Sequence, residues 1–164
     1  EQVGLSGAVK TSGAKGLHVF VPVTDDTGSD DLAAAARALA VRTAALLPDV
    51  ATTAFVRADR DGKVFVDSTR VGGATVVAAY SPRVRPGAPV SFPVTWDELA
   101  SVAPQDFTVH TALDRLGDDD PWAELMPPPQ ALDADLVAEG HEISIPRGEA
   151  MREGKRRARR ARAD

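Results

Sequence analysis

The sequence predicts an α/β (α+β) domain built on a mixed sheet. Three observations carry that expectation. Short runs alternate apolar and polar residues, as half-buried strands do. One long stretch rich in alanine and leucine reads as a helix. Gly, Pro and Asp gather at the joints between these segments, where turns need them. Strands interleaved with a single clear helix give a mixed α and β architecture.

The elements follow in order. Residues 6–10 and 17–23 read as two strands. Along the second, Leu17, Val19, Val21 and Val23 share one face and His18, Phe20 and Pro22 the other. Between them Lys10-Thr11-Ser12-Gly13-Ala14-Lys15-Gly16 is a turn with two glycines, so the pair forms a hairpin. A polar loop from Asp25 to Asp30 carries capping chemistry, with Ser29 or Asp30 set to accept from the first free amides. The helix runs from about Asp31 to Leu47, with Leu32, Leu39 and Leu46 on one stripe, and Pro48 stops it. Lys63 to Asp67 is a short strand in which Phe65 and Asp67 face the same way. An apolar run from Ala74 to Ala79 leads into Tyr80-Ser81-Pro82-Arg83 and a loop rich in Pro and Gly. Thr95 caps a short helix from Trp96 to Val102, and Glu98 completes a capping box. Phe107 to Thr111 alternates like a strand, and Asp114 to Trp122 is acidic and rich in turns. After Met126-Pro127-Pro128-Pro129 a loosely packed helix is expected around Ala131 to Glu139.

Composition narrows the function classes. The 164 residues, 43% hydrophobic and 26% charged, suffice to bury one core. With no cysteine there is no disulfide and no thiolate metal site, and a reducing cytoplasm is the expected home. No apolar run approaches the roughly 20 residues of a membrane helix, so no membrane partner is expected. No initiating Met opens the chain, and a natural protein longer at its N-terminus is expected. Charge is uneven. Met151 to Asp164 holds seven basic and two acidic side chains, net +5, while the remainder holds 12 basic and 22 acidic, net −10. That tail reads first as a solvated helical linker and second as a phosphate-contacting arm.

Three places could carry chemistry. Ser12, Lys15 and His18 bring a hydroxyl, an ammonium and an imidazole to one end of a hairpin, next to turn amides, which suits phosphate oxygens. It is not a Walker loop, and by itself it reads first as an ordinary surface hairpin with a strand histidine. Asp67 ends a Val-rich strand; a carboxylate there needs a partner or a cation, unless it simply faces water. Arg83 and Arg85 offer planar forks that match phosphate, or else are two solvated loop arginines.

A family resemblance changes those readings. Lys10-Thr11-Ser12-Gly13-Ala14-Lys15-Gly16-Leu17-His18-Val19 resembles the K-T-S-G-x-K-G-L-H-hydrophobic segment of ligase D polymerase domains, of the archaeo-eukaryotic primase superfamily. Val64-Phe65-Val66-Asp67 and then Tyr80 to Val90 are similar to a second stretch in the same order, continued by Thr95 to Leu99 and Asp106 to Thr108. The resemblance covers roughly residues 3–125. It implies a primase-polymerase catalytic fold whose N-terminal part is missing: residues 1–129 as the C-terminal portion of that domain, and 130–164 as a helical extension and basic tail.

The resemblance also implies roles. Ser12, Lys15 and His18 match the motif holding the incoming triphosphate, Arg83 matches a triphosphate-binding arginine, and Arg85 is its companion. His18 and Asp67 are the implied catalytic residues, with Asp67 near divalent metals, Mn²⁺ or Mg²⁺. All of these would gather around one nucleotide's phosphates. The implied function is DNA-directed nucleotidyl transfer of NTPs or dNTPs to primer 3′ ends in break repair by non-homologous end joining. The implied partners are a DNA primer-template or DNA ends, and a DNA ligase or Ku-type protein, in a cytoplasmic, nucleoid-associated setting. Two departures stand out. The family's Asp-x-Asp metal pair lies upstream of the Ser12 motif, and nothing before Lys10 supplies it. After Asp67 the family has an aromatic and a Gln-Asn pair, where this chain has Ser68-Thr69-Arg70-Val71. An incomplete, inactive portion is therefore expected, with a non-catalytic nucleotide- or DNA-binding module as the alternative.

Overall fold

A computed structural model describes residues 3–71, 75–118 and 120–145. In chain order the elements are β1 (Ala8–Thr11), β2 (Leu17–Phe20), α1 (Ser29–Leu46), β3 (Ala51–Thr52), β4 (Val64–Phe65), β5 (Pro93–Val94), α2 (Ala112–Leu116), α3 (Pro121–Leu125) and α4 (Ala134–Glu142), with three short 3-10 turns. Among the described residues, small sheets with four helices make a mixed α+β fold. The described residues fall into two compact units, those of Glu1–Asp25 with Val76–Ala131 and those of Asp26–Thr75 with Leu132–Asp164. No helix among the described residues is long and apolar enough to cross a membrane. The basic segment from Met151 lies outside the described residues.

The first unit is organised by an antiparallel sheet in the order β2-β1-β5. The expected hairpin forms, with Lys10 directly opposite His18 and Thr11 opposite Leu17. The alternation along β2 also holds, but the faces are reversed from what hydropathy suggests. Leu17 and Val19 are about half exposed, at 48% and 50%, while His18 and Phe20 turn inward. β1 is buried along its whole length, flanked by strands on both edges. Val9, Val90, Phe92, Val94, Phe107 and Ala112 form the core beside it, with Phe92 and Phe107 stacked at 4.8 Å. Burying such apolar surface stabilises the unit by roughly 25 cal/mol per Å² removed from water.

Several local expectations take a different form. Thr95 and Glu98 do make a reciprocal capping box, the Thr95 amide donating to Glu98 Oε2 at 2.8 Å and the Glu98 amide to Thr95 Oγ1 at 3.2 Å. The helix it opens is only a 3-10 turn over Asp97–Ala100. Phe107 to Thr111 is not a strand. Thr111 Oγ1 donates to the Asp106 carbonyl and accepts from the Thr108 amide, so hydroxyls take over the backbone and start α2.

In the second unit α1 begins at Ser29 with Gly28 as its cap, and no side chain caps it. Asp30 and Asp31 instead lie in the first turn, where carboxylates favour the helix dipole. The leucine stripe is not the buried face: Leu46 is exposed, and Ala34, Ala35, Ala38 and Ala40 are buried. The reason is α4, which packs along α1 rather than hanging loose. Leu136 is 2% exposed, and Gly140 lies against the Ala34 backbone so closely that a Cβ there would sit 1.9 Å from the Ala34 carbonyl oxygen. Arg37 donates to the Gly140 carbonyl, Arg42 pairs with Glu139, and His141 meets Asp31 at 2.8 Å. The other part of this unit is a two-residue parallel pairing of β3 with β4. Arg60 lies 4.0 Å over the Phe65 ring and donates to the carbonyls of Ala54 and Phe55.

Because the obstruction at Gly140 is backbone rather than a flexible side chain, G140A must force the two helices apart. The substitution is expected to destabilise the second unit by about 2 kcal/mol or more in urea denaturation. An unchanged midpoint would show that α1 and α4 do not approach this closely.

Candidate functional site

The turn between β1 and β2 is built by Ser12. Its Oγ accepts from the amides of Ala14 (3.2 Å) and Gly16 (3.3 Å), and its own amide donates to the Gly16 carbonyl at 2.9 Å. Both oxygen lone pairs are thereby used, which leaves the hydroxyl hydrogen as its donor. The two turn amides expected to face an anion are thus held by Ser12 itself. Lys15 projects from the turn, exposed.

Gly13 brings Arg83 to the same place. It sits at φ +62°, which glycine adopts without cost, and a Cβ there would lie 2.6 Å from Arg83 Cγ and 3.2 Å from the Ser91 amide nitrogen. The stem of Arg83 therefore packs on the hairpin turn. Its amide donates to the Pro89 carbonyl at 2.8 Å, fixing the loop from which the guanidinium extends, and Arg85 follows, exposed. Within the first unit, then, the Arg83 stem lies against Gly13, next in sequence to Ser12, and His18 rises on β2. A hydroxyl hydrogen and a planar guanidinium are donors suited to phosphate oxygens.

Two groups that sequence reading did not single out support this region. Lys10, opposite His18, has no exposed surface. Its Nζ lies 2.9 Å from the Val77 carbonyl, 2.5 Å from Ser91 Oγ and 3.2 Å from His18 Nδ1. Burial, and then the nearby Arg83 charge, pull its pKa down to about 8. The only signal in the sequence was a lysine inside an otherwise uncharged Ala-Val-Lys-Thr strand. Tyr80 is the second. It holds φ +62°, rare for a residue with a side chain, and its hydroxyl donates to Asp120 Oδ1 at 2.5 Å while accepting from the Trp122 amide. Burial and the Asp120 hydrogen bond push its pKa up to about 12.

Asp67 belongs to the second unit and is exposed. Its carboxylate is turned to its own loop: Oδ1 accepts from the Thr69 amide (2.9 Å) and hydroxyl (2.6 Å), and Oδ2 faces Arg70 Nε at 3.4 Å. Thr69 and Arg70, the residues that stand where the resembling family has other side chains, are thus the ones that engage it. Among the described residues no three His, Cys, Asp or Glu side chains gather so that they could hold a metal ion. The carboxylates described in this chain do not by themselves fit a divalent metal pair.

A family model described as LigD, primase-polymerase domain matches residues 1–122. The chain belongs to the LigD primase-polymerase family. It is 40% identical over 129 residues to the multifunctional non-homologous end joining protein LigD of Pseudomonas aeruginosa, covering 76% of this chain and 15% of that protein. It is 36% identical over 126 residues to LigD of Mycolicibacterium smegmatis, covering 76% of this chain and 16% of that protein. The solved polymerase domain of Mycobacterium tuberculosis Ligase D, in complex with DNA, matches with a TM-score of 0.68 at 31% identity, over 77% of this chain and 46% of that one. The chain therefore has the LigD polymerase-domain fold over part of its extent, and it spans under one fifth of the curated LigD proteins it matches.

The Lys10 environment makes a stability prediction. The lysine releases its proton near pH 8 when folded and near its ordinary value of 10.5 when unfolded. Between those values the unfolded chain binds more protons, so folding gains as pH rises, by about 3 kcal/mol over the whole window. Tyr80 acts oppositely above pH 10, its ordinary value, because there the unfolded tyrosine ionises first. Urea midpoints are therefore expected to rise from pH 8 to pH 10, and K10M is expected to remove the rise. A flat wild-type profile would contradict the buried ammonium.

Proposed function

We propose that this chain is the triphosphate-holding portion of a LigD-type polymerase, which adds NTPs or dNTPs to primer 3′ ends during repair of DNA breaks by end joining. The observation that carries the reading is the packing of Arg83 on the Gly13 turn. That packing lays the Arg83 stem on the turn that follows Ser12, in the hairpin that bears His18. Lys15 adds a charge from the same turn, and Arg85 a second guanidinium from the Arg83 loop.

Phosphoryl transfer asks little covalent chemistry of a protein and much positioning and charge neutralisation. In the proposed reaction the hydroxyl of Ser12, the ammonium of Lys15, the imidazole of His18 and the guanidinium of Arg83 hold the triphosphate oxygens. They orient the α-phosphorus for attack by the primer hydroxyl and offset negative charge as it builds on the leaving pyrophosphate. Asp67 is proposed as a carboxylate near the metals, manganese or magnesium; it would first have to part from Thr69 and Arg70. The described carboxylates do not by themselves form a metal site. The remaining ligands are expected from polypeptide upstream of this sequence, where the family's Asp-x-Asp pair falls. The proposed partners are a DNA primer-template or DNA ends, and a DNA ligase or Ku-type protein reached through the segment from Arg152 to Arg162. Residues 130–164 are proposed as an extension to the polymerase portion.

Primer extension with Mn²⁺ separates the possibilities. This chain alone is expected to give no extension, and robust extension would refute its incompleteness. In the full-length parent, H18A and D67A are each expected to lower the rate at least a hundredfold, on the scale of lost phosphoryl-transfer electrostatics. Undiminished extension in either variant would remove that residue from the site. A parent that itself lacks an upstream Asp-x-Asp pair and extends nothing would favour the non-catalytic binding module, for which the engaged Asp67 carboxylate speaks.

A further inference from the structure

Lys10 is the group in the first unit most in need of a physical account. An ammonium with no exposed surface is stable only where acceptors surround it. Its three neighbours are the Val77 carbonyl at 2.9 Å, Ser91 Oγ at 2.5 Å and His18 Nδ1 at 3.2 Å. The single hydroxyl hydrogen of Ser91 is donated to the Thr11 carbonyl at 2.7 Å, so Ser91 Oγ accepts from Lys10. The Val77 carbonyl can only accept. Two of the three ammonium hydrogens are then used, and the third is left for His18 Nδ1. An imidazole nitrogen that accepts carries no proton, so the ring proton lies on Nε2.

From this arrangement we infer that Lys10 is a positioning residue for His18, holding the imidazole neutral with its proton on Nε2, so that His18 meets a phosphate oxygen as an N–H donor. The inference rests on the reading of His18 as a phosphate-binding residue. A further observation agrees with it. The lysine, its pKa pulled down to about 8 by burial, is still mostly an ammonium at neutral pH and so keeps its third hydrogen. Phe20 completes the cradle: its ring lies 5.5 Å from the Lys10 ammonium and edge-on to His18 at 6.5 Å. Lys10 itself is fully covered.

The test needs neither DNA nor an active polymerase. In the nitrogen NMR spectrum of the ¹⁵N-histidine-labelled chain at neutral pH, His18 is expected to show an unprotonated Nδ1 and a protonated Nε2. The opposite tautomer, or an imidazolium, would overturn the inference without any variant having to fold. A double-mutant cycle on ATP affinity then tests action through His18. H18A and K10M are each expected to weaken binding about tenfold, the scale of one hydrogen bond to a charged group, and K10M is expected to add nothing in the H18A background. An equal further loss from K10M in that background would mean that Lys10 acts by its own charge, and would overturn the positioning role. If H18A leaves ATP affinity unchanged, the phosphate-binding reading fails and takes the donor role with it, whereas the nitrogen spectrum still decides whether Lys10 sets the tautomer.

Discussion

A lysine ammonium buried in the middle of a four-residue strand is the constraint from which most of the first unit follows. Water cannot solvate it, so the protein must supply acceptors, and an unpaired charge there would cost several kcal/mol. Val77, Ser91 and His18 supply them. Ser91 is itself fully buried and tied back to Thr11, so the strand that carries Lys10 and the segment running into β5 are locked in one register. Thr11 reinforces this, its hydroxyl accepting from the Phe92 amide and donating to the Val90 carbonyl. The aromatic core of Phe92 and Phe107 then stacks where those hydrogen bonds place it.

Glycine provides the second constraint, once in each unit. Gly13 lets the hairpin turn lie against the Arg83 stem, and Gly140 lets α4 lie on the α1 backbone. In the first case the close approach brings together two of the segments proposed to hold phosphate: the Ser12 turn and the Arg83 loop come from segments about 70 residues apart in sequence and meet because a side chain is absent between them. In the second it makes a helix pair whose buried face is alanine, sealed at its edges by Arg42 with Glu139 and by His141 with Asp31. These exposed pairs add modest energy; the steric fit sets the geometry.

Much of this was legible in the sequence where the signal was local. The two glycines and the alternation from Leu17 marked the hairpin, Pro48 marked the end of α1, and Thr95 with Glu98 marked a capping box. What failed was non-local. Alternation shows which residues share a face but not which face is inside, so the Leu17 and Val19 side of β2 turned out to be the exposed one. The leucine stripe of α1 misled because the partner that selects the alanine face, Gly140, lies about a hundred positions away. Lys10 could not be singled out because its acceptors, Val77 and Ser91, are 67 and 81 residues distant. The motif residues Ser12 and Arg83 were readable from the family resemblance, whereas the packing of the Arg83 stem on Gly13 was not. The resemblance gave Asp67 a metal-side role, yet its carboxylate is engaged by the Thr69 and Arg70 that set this chain apart.

The central claim is that the end of the β1–β2 hairpin, with Arg83 laid on its turn, is a binding site for a nucleotide's phosphates. Amide and side-chain NMR of the chain titrated with ATP tests it most directly. The account predicts saturable shifts centred on Ser12, Lys15, His18 and Arg83, lost when inorganic triphosphate competes. Shifts confined to other residues, or none at millimolar ATP, would contradict it.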